Sequence, residues 1–181
     1  IKVTSWGTGM CYFYWGLNCE KFDQQERAAI SYALNYTYVT EEIRQGLAVK
    51  ANTCVPTALP GYDKEVQPPA FNIESAREIM NTYHGTSLDV TDDAVWTTKA
   101  TDDPFRTISL FRHEGSHFNE LLNAMVADNL RSIGIDTEED INDWTTFLQW
   151  SAPGGRDNLE MWYIGWCPDY LSAFNMMNPL F

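Results

Sequence analysis

The segment at residues 161–181 constrains the fold of this chain more than any other stretch. It reads MWYIGWCPDYLSAFNMMNPLF, and its first apolar run, Met161 to Ile164, is stopped by Gly165. Consecutive aromatic, branched and long apolar residues favour a β-strand that is buried on both faces. A glycine at the end of such a strand leaves room for another backbone to approach. We therefore predict an interior strand whose carboxyl end is its functional end.

Trp166, Cys167, Asp169 and Tyr170 follow that strand directly. Open α/β sheets bind ligands just beyond the carboxyl ends of their strands, so a carboxylate beside a large indole at this place indicates a ligand site. A second interpretation is structural: Trp166 packs in the core and Asp169 is the N-cap of a helix over residues 170–177. The residues alone leave both interpretations open.

The composition indicates one folded domain. With 181 residues, 44% of them hydrophobic and 14% aromatic, the chain can bury a core and is not disordered. It has no run of about 18 apolar residues to span a membrane. The 12 Lys and Arg against 25 Asp and Glu give a net charge of -13, which disfavours nucleic acid as a partner. No charged and then apolar leader stands at Ile1, so the residues leave the cellular location open.

Apolar periodicity and capping residues predict strands that alternate with helices, which indicates an α/β layer. The proline-rich residues 47–71 have no helical period and are predicted as an extended crossing, and the polar residues 86–105 as a surface loop. The predicted strands are residues 10–18, 107–111, 135–140 and 161–164, and the predicted helices are 24–34, 35–46, 73–84, 118–132 and 144–150.

Four cysteines are present, at Cys11, Cys19, Cys54 and Cys167. None of them forms a C-x-x-C pair, which argues against a zinc ribbon or a thioredoxin-like site. An even count fits disulfides in an oxidising compartment, but four cysteines allow three connectivities. Four buried thiols are the alternative.

Several segments resemble the extracytoplasmic solute-binding proteins that serve ABC importers of peptides, and most closely the oligopeptide-binding proteins. The resemblance runs from about Cys11 to Phe181, apart from residues 86–105, and its specificity comes from the order of the motifs. The matching motifs are Phe13-Tyr14, Arg27-Ala28, Leu59-Pro60-Gly61-Tyr62, Ile133-Gly134-Ile135, Trp166-Cys167 and Asp169-Tyr170.

The resemblance implies a fold and a place in a larger protein. The fold would be one lobe of a type II periplasmic-binding-protein fold, an α/β structure with a mixed sheet and flanking helices. Residues 1–181 would form a single partial domain, the second lobe of a two-lobed protein, because the chains of the family are much longer.

The resemblance also implies a function, which is capture of a peptide for an ABC-type importer. Asp169 would pair with the free α-amino group of the peptide, and Gly165 to Cys167 would offer backbone groups to an extended ligand. Trp166 would cover the same end of the ligand, and Tyr170 would shape the wall. We expect no enzymatic activity, cofactor or bound metal.

The partners implied are a peptide ligand and, through the full-length protein, the membrane subunits of an ABC importer, with no nucleic acid. The protein would be a monomer in the periplasm, or anchored by lipid on the outer face of the cell membrane. The resemblance further implies a disulfide between Cys11 and Cys167, which leaves Cys19 and Cys54 as the second pair.

Residues 113–117, His-Glu-Gly-Ser-His, match the H-E-x-x-H signature of zinc peptidases, which is the alternative function. In such an enzyme both histidines lie on one face of a helix and bind zinc. Gly115 and Ser116 are a poor helix interior, however, and Ser116 is a good N-cap. We therefore predict a polar turn between a strand and a helix, with His113 and Glu114 off that helix.

Overall fold

A mixed sheet of four strands organises the molecule, of which the computed structural model describes residues 9–178. The strands lie in the order β1-β4-β2-β3. β1 is antiparallel to β4, whereas β2 is parallel to both β4 and β3. Their bounds are Tyr12–Leu17 for β1, Thr107–His113 for β2, Asp136–Asn142 for β3 and Met161–Trp166 for β4. The predicted mixed α/β architecture is confirmed.

The helices begin where the sequence supplies caps. Asp23, Asn72 and Ser116 each accept hydrogen bonds from backbone N–H groups of the following first turn, as predicted. The bounds are α1 Gln24–Ala33, α2 Tyr36–Tyr38 with a π-helical continuation Val39–Ile43, α3 Ile73–His84, α4 Asp93–Asp102, α5 His117–Arg131, α6 Trp144–Ser151, a 3-10 turn Arg156–Asn158, and α7 Ala173–Met177. None of these helices is long and apolar enough to cross a bilayer.

The two faces of the sheet pack against different helices. Ile108, Leu110 and Met161 point to one face, where they form the main core with buried residues of α1, α3 and α5. Phe111 lies on the opposite face, because successive side chains of a strand alternate, and packs with Phe147 of α6. Helices therefore cover both faces of the β2–β4 region.

β4 is less buried than the sequence predicts. Met161 is fully buried, but the strand residues from Trp162 to Trp166 are only partly buried. Met161 belongs to the main core and Tyr163 packs partly against it, whereas the later residues of β4 lie outside this core. The prediction of burial on both faces therefore holds only at the start of the strand.

The prediction of a surface loop at residues 86–105 is wrong, since this segment contains α4. Asp92 caps the helix by accepting hydrogen bonds from the backbone of Ala94 and Val95. Only Trp96 and Ala100, one helical turn apart, are buried, both with 0% exposure. One apolar pair in a polar segment gives no periodicity that a sequence pattern could detect.

The pairing of Cys19 with Cys54 is also wrong, because both are free thiols. Cys19 follows the carboxyl end of β1, whereas Cys54 packs near Tyr12 at the start of that strand. The six residues of β1, Tyr12–Leu17, separate the two cysteines by roughly 17 Å. A disulfide needs Cα atoms within about 7 Å of each other.

Candidate functional site

The second half of β4 has a strand partner on only one side. On one side the pairing with β1 continues to Phe13 opposite Gly165 and Tyr12 opposite Trp166. On the other side β2 pairs only with Met161 and Trp162, while β2 itself continues along β3 to His113. Within the part of the chain described, the backbone edge of residues 163–166 that faces β2 therefore has no strand partner. We call this stretch the open edge.

Gly165 makes room for a ring of the neighbouring strand. A Cβ atom added to Gly165 would lie 2.4 Å from the ring of Phe13, and one added to Gly16 would lie 2.3 Å from the ring of Trp162. Both glycines thus receive an aromatic side chain from the opposite strand. The sequence predicts the approach of another backbone at Gly165, whereas in the structure the ring of Phe13 occupies this space.

A disulfide fixes the chain where β4 ends. Cys11 and Cys167 are bonded, with 4.1 Å between their Cα atoms, as the resemblance implied. The bond lies one position beyond the pair Tyr12 and Trp166, so it continues the β1–β4 ladder covalently. The loop that carries Asp169 is therefore anchored at its first residue.

Asn175 holds the other end of this loop. The indole Nε1 of Trp166 donates to the backbone oxygen of Asn175 at 2.9 Å, and the backbone N–H of Asp169 donates to Asn175 Oδ1 at 2.7 Å. Asn175 itself is buried, with 8% exposure. Trp166 also packs on the apolar cluster around Val55, as the structural interpretation of its indole requires.

The side chain of Asp169 is exposed and does not cap a helix. α7 begins at Ala173, and its N-cap is Ser172, which accepts a hydrogen bond from Phe174 N. The interpretation of Asp169 as an N-cap is therefore wrong. Among the described residues, no hydrogen-bond donor or cation contacts this carboxylate. It is positioned through its backbone and remains available to a cation.

An apolar surface follows Asp169 along the chain. Tyr170 is 52% exposed, Leu171 66% and Phe174 60%. A hydrogen bond from Ser172 N to Tyr170 O, at 2.8 Å, closes the turn before α7. The predicted site residues Gly165, Trp166, Cys167, Asp169 and Tyr170 thus lie together at the carboxyl end of β4.

The His-Glu-Gly-Ser-His segment forms the predicted turn. His113 is the last residue of β2, His117 is the first of α5, and Gly115 between them has φ of 71°. The ring of His113 packs against Phe111, and burial lowers the pKa of His113. The two histidines do not share a helix face, and residues 9–178 hold no group of three or more potential metal-ligating side chains. Nothing supports a metallopeptidase.

Sequence reasoning missed Arg44, which lies beside the open edge. Its Nη2 donates to the hydroxyl of Tyr163 at 2.9 Å. Its guanidinium lies over the ring of Phe118 at 4.0 Å and of Phe13 at 4.9 Å. Arg44 and Tyr163 are 119 residues apart in sequence, so no local pattern could reveal the contact.

The mixed sheet with helices on both faces matches a fragment of the periplasmic-binding-protein fold. The chain belongs to the bacterial extracellular solute-binding proteins of family 5, whose model, described as "Bacterial extracellular solute-binding proteins, family 5 Middle", matches residues 1–181. No curated protein sequence matches the chain.

Solved structures share this fold over nearly the whole chain. The periplasmic binding protein DppA from Helicobacter pylori, in complex with the peptide STSA, has a TM-score of 0.77 at 22% identity and covers 96% of this chain. AppA from Bacillus subtilis, with a nonapeptide, has 0.71 at 20% over 88%. The dipeptide-binding protein of Pseudoalteromonas sp. SM9913, with Met-Leu, has 0.70 at 19% over 95%. The chain spans only 30%, 32% and 31% of these proteins, respectively.

Proposed function

We propose that this chain is the second lobe of an extracytoplasmic protein that captures peptides for an ABC-type importer. The observation that carries the proposal is the open edge, which is followed by Asp169, whose exposed carboxylate has no cationic partner among the described residues. Family membership supports the class of protein, and three structures with the same fold hold peptides.

An extended peptide would add to the open edge as a further strand. Backbone groups of residues 163–166 that point away from β1 would bond to the peptide backbone, which gives affinity without reading side chains. Every second residue of the strand directs its N–H and C=O groups to this edge, and their hydrogen bonds are independent of the ligand sequence, so a range of peptides would bind. Trp166, held by Asn175, would form the floor at one end of the ligand.

Asp169 would provide the charged anchor. A carboxylate that bonds to an ammonium group makes a hydrogen bond about twice as strong as a neutral one. The disulfide of Cys167 and the bond from Asp169 N to Asn175 keep the loop in place before the ligand arrives. Less ordering entropy would then be lost on binding.

The rest of the full-length protein would close over the ligand. Two-lobed binding proteins bury their ligand by hinge closure, and this chain spans only about a third of its structural relatives. It would act as a monomer without catalytic activity or cofactor, in the periplasm or anchored by lipid outside the cell membrane. The disulfide fits such an oxidising location.

The test is the identity of the ligand that the full-length protein retains. We expect mass spectrometry of the natively purified protein, denatured to release its contents, to find peptides with free amino termini. The same peptides, and not their N-acetylated forms, should rebind in calorimetry. Recovery of a metal chelate or sugar in place of peptides would contradict the proposal, and so would a protein that rebinds nothing.

A further inference from the structure

We propose that the open edge is closed at its Tyr163 end and that this lobe therefore selects short peptides, of no more than about five residues. The inference rests on the proposed function and deepens it, because it names the length class of the ligand and the residues that limit it. Solved structures with this fold hold ligands of very different length, among them a dipeptide and a nonapeptide. The fold alone therefore does not fix ligand length, and the residues of each chain must do so.

The backbone of β2 blocks the open edge beyond Tyr163. β2 pairs with Met161 and Trp162, so the position beside β4 is already filled there. The four residues 163–166 that remain open span about 13 Å at strand spacing. A ligand strand can therefore pair along about four residues of β4, and one further residue would reach towards Asp169.

The anchor at Asp169 sets the direction in which the ligand approaches this barrier. Asp169 lies beyond the carboxyl end of β4, so a ligand whose amino group it binds runs along the open edge towards Tyr163, antiparallel to β4. The carboxyl end of the ligand then points at β2, and each added residue brings it closer. A longer ligand has to leave the sheet on one face or the other.

Phe118 closes the gap between β2 and β4 on the face of the main core. Helix α5 follows β2 after a short turn, and the ring centroid of Phe118 lies 6.1 Å from that of Tyr163. Arg44 lies over the ring of Phe118 at 4.0 Å and donates to the hydroxyl of Tyr163, which links the two rings. Both rings also pack against the main core. A peptide that left the sheet on this face would have to displace them.

Aromatic rings also cover the opposite face at the end of β2. The ring centroid of His113 lies 5.0 Å from that of Phe111 and 5.1 Å from that of Trp144. Trp144 stacks on Phe147 at 5.2 Å, and Ile164 of β4 packs against the buried cluster that contains Phe147. The exit on this face is therefore apolar as well, with the half-exposed Trp144 at its rim.

These apolar surroundings make additional ligand residues unfavourable. Beyond about five residues a peptide finds no unpaired backbone of β4, because β2 occupies that position. Its N–H and C=O groups would lose water against the rings without gaining hydrogen bonds, which costs free energy. Ordering the additional residues costs conformational entropy as well. Short peptides avoid all three costs.

The test is the length dependence of binding to the full-length protein that carries this chain. Calorimetry would compare the tripeptide Ser-Ala-Ser with the pentapeptide and nonapeptide that continue the same alternation, whose small side chains keep side-chain fit constant. The variants are Phe118→Ala and Trp144→Ala, one for each face. Tyr83→Ala is the control, since this exposed ring bonds to Asp23, which follows β1 at the opposite end of the sheet from Trp166.

We expect wild type to bind the pentapeptide at least as tightly as the tripeptide. The nonapeptide should bind about 10- to 100-fold more weakly than the pentapeptide, as for polar groups that are desolvated without partners. Phe118→Ala should reduce this difference by about 5-fold or more, because it opens the exit on the core face. Trp144→Ala should reduce it by a smaller factor, since its ring is already half exposed, and Tyr83→Ala should leave it unchanged.

Each comparison is between two peptides on one variant, so a general loss of folded protein does not imitate the result. If wild type binds the nonapeptide as tightly as the pentapeptide, the inference fails and the proposed function stands. The same holds if neither Phe118→Ala nor Trp144→Ala changes the ratio of the two affinities. If wild type binds none of the peptides, both the proposed function and this inference are contradicted.

Discussion

Asn175 is the residue through which two separate parts of the candidate site are oriented. Its backbone oxygen receives the indole N–H of Trp166, and its side-chain oxygen receives the backbone N–H of Asp169. Asn175 is buried and both hydrogen bonds are partly buried, which strengthens them relative to bonds that are fully exposed to water. Asn175 thereby fixes the indole of Trp166 and the backbone of Asp169 relative to each other.

At the residue scale we predict that Asp169→Asn in the full-length protein weakens peptide binding by about 2 to 5 kcal/mol, because a ligand ammonium would lose its ionic partner on burial. Calorimetry with a peptide and its N-acetylated form measures this. Asp157→Asn, an exposed acid of the 3-10 turn Arg156–Asn158, is the matched control. Equal affinities of wild type and Asp169→Asn for the free peptide would remove Asp169 from the site.

At the scale of single elements, α4 is attached through one aromatic side chain and one arginine. Trp96 is fully buried, and its Nε1 donates to the backbone oxygen of Asp89 at 2.8 Å. Arg77 of α3 donates to the carbonyls of Ser132 and Val90 and to Asp93, each at 2.8 Å. The helix is thus joined to α3 and to the end of α5.

We predict that Trp96→Ala lowers the free energy of unfolding by about 3 to 5 kcal/mol, as for loss of a large buried aromatic side chain. Chemical denaturation of the chain measures the change. Thr98→Ala, at an exposed position of the same helix, should change the free energy by less than about 0.5 kcal/mol. A small effect of Trp96→Ala would mean that this segment behaves as the surface loop that the sequence suggests.

The disulfide joins β1 and β4, elements far apart in the chain, across a sequence separation of 156 residues. Closing so long a loop restricts the unfolded chain strongly, so the double variant Cys11→Ser with Cys167→Ser should lose about 2 to 5 kcal/mol of unfolding free energy. Denaturant titration in the absence of reductant measures it.

Cys19→Ser, which replaces an exposed free thiol, is the control and should be neutral. Alkylation of the native protein gives an independent check. Cys19 should react first, since burial raises the pKa of the Cys54 thiol and reduces its reactive thiolate. Protection of Cys19 and Cys54 together would indicate that they are bonded after all.

At the scale of the whole molecule, stability should depend on two histidines. Burial lowers the pKa of both His84, which stacks on Phe105 at 4.1 Å, and His113. When the pH falls below the ordinary histidine pKa of about 6.5, these two side chains therefore bind protons more readily in the unfolded chain than in the folded protein. Stability is then lost as pH falls through that value.

We predict that the unfolding free energy decreases between pH 7 and pH 5, and that the double variant His84→Gln with His113→Gln shows a shallower decrease. Thermal melts across this range measure both slopes. The carboxyl groups of Asp23, Asp89 and Asp143, whose pKa values are lowered mainly by hydrogen bonds, lose their contribution only at lower pH. Identical slopes for wild type and variant would show that these histidines are not the cause.

The sequence by itself determined the elements whose signals are local. Asn72 and Gly85 are the caps of α3, as predicted. Ser116 is the N-cap of α5, so the helix begins after the turn and the two histidines do not share a helical face, which argues against a zinc site. Such signals are hydrogen bonds and periodicities within a few residues, so a short window contains them. The grouping of Trp166 with Asp169 also follows from neighbouring positions.

Only the tertiary structure decided what depends on distant partners. The open edge exists because β2 leaves β4 after Trp162, and Arg44 meets Tyr163 from 119 residues away. The helix α4 is stabilised by the burial of Trp96 in the core. Cys19 and Cys54 do not form a disulfide because they lie near opposite ends of β1. Contacts of this kind depend on how whole helices and strands pack against each other. The free energy of that packing comes from residues far apart in the chain, so a short stretch of sequence does not reveal it.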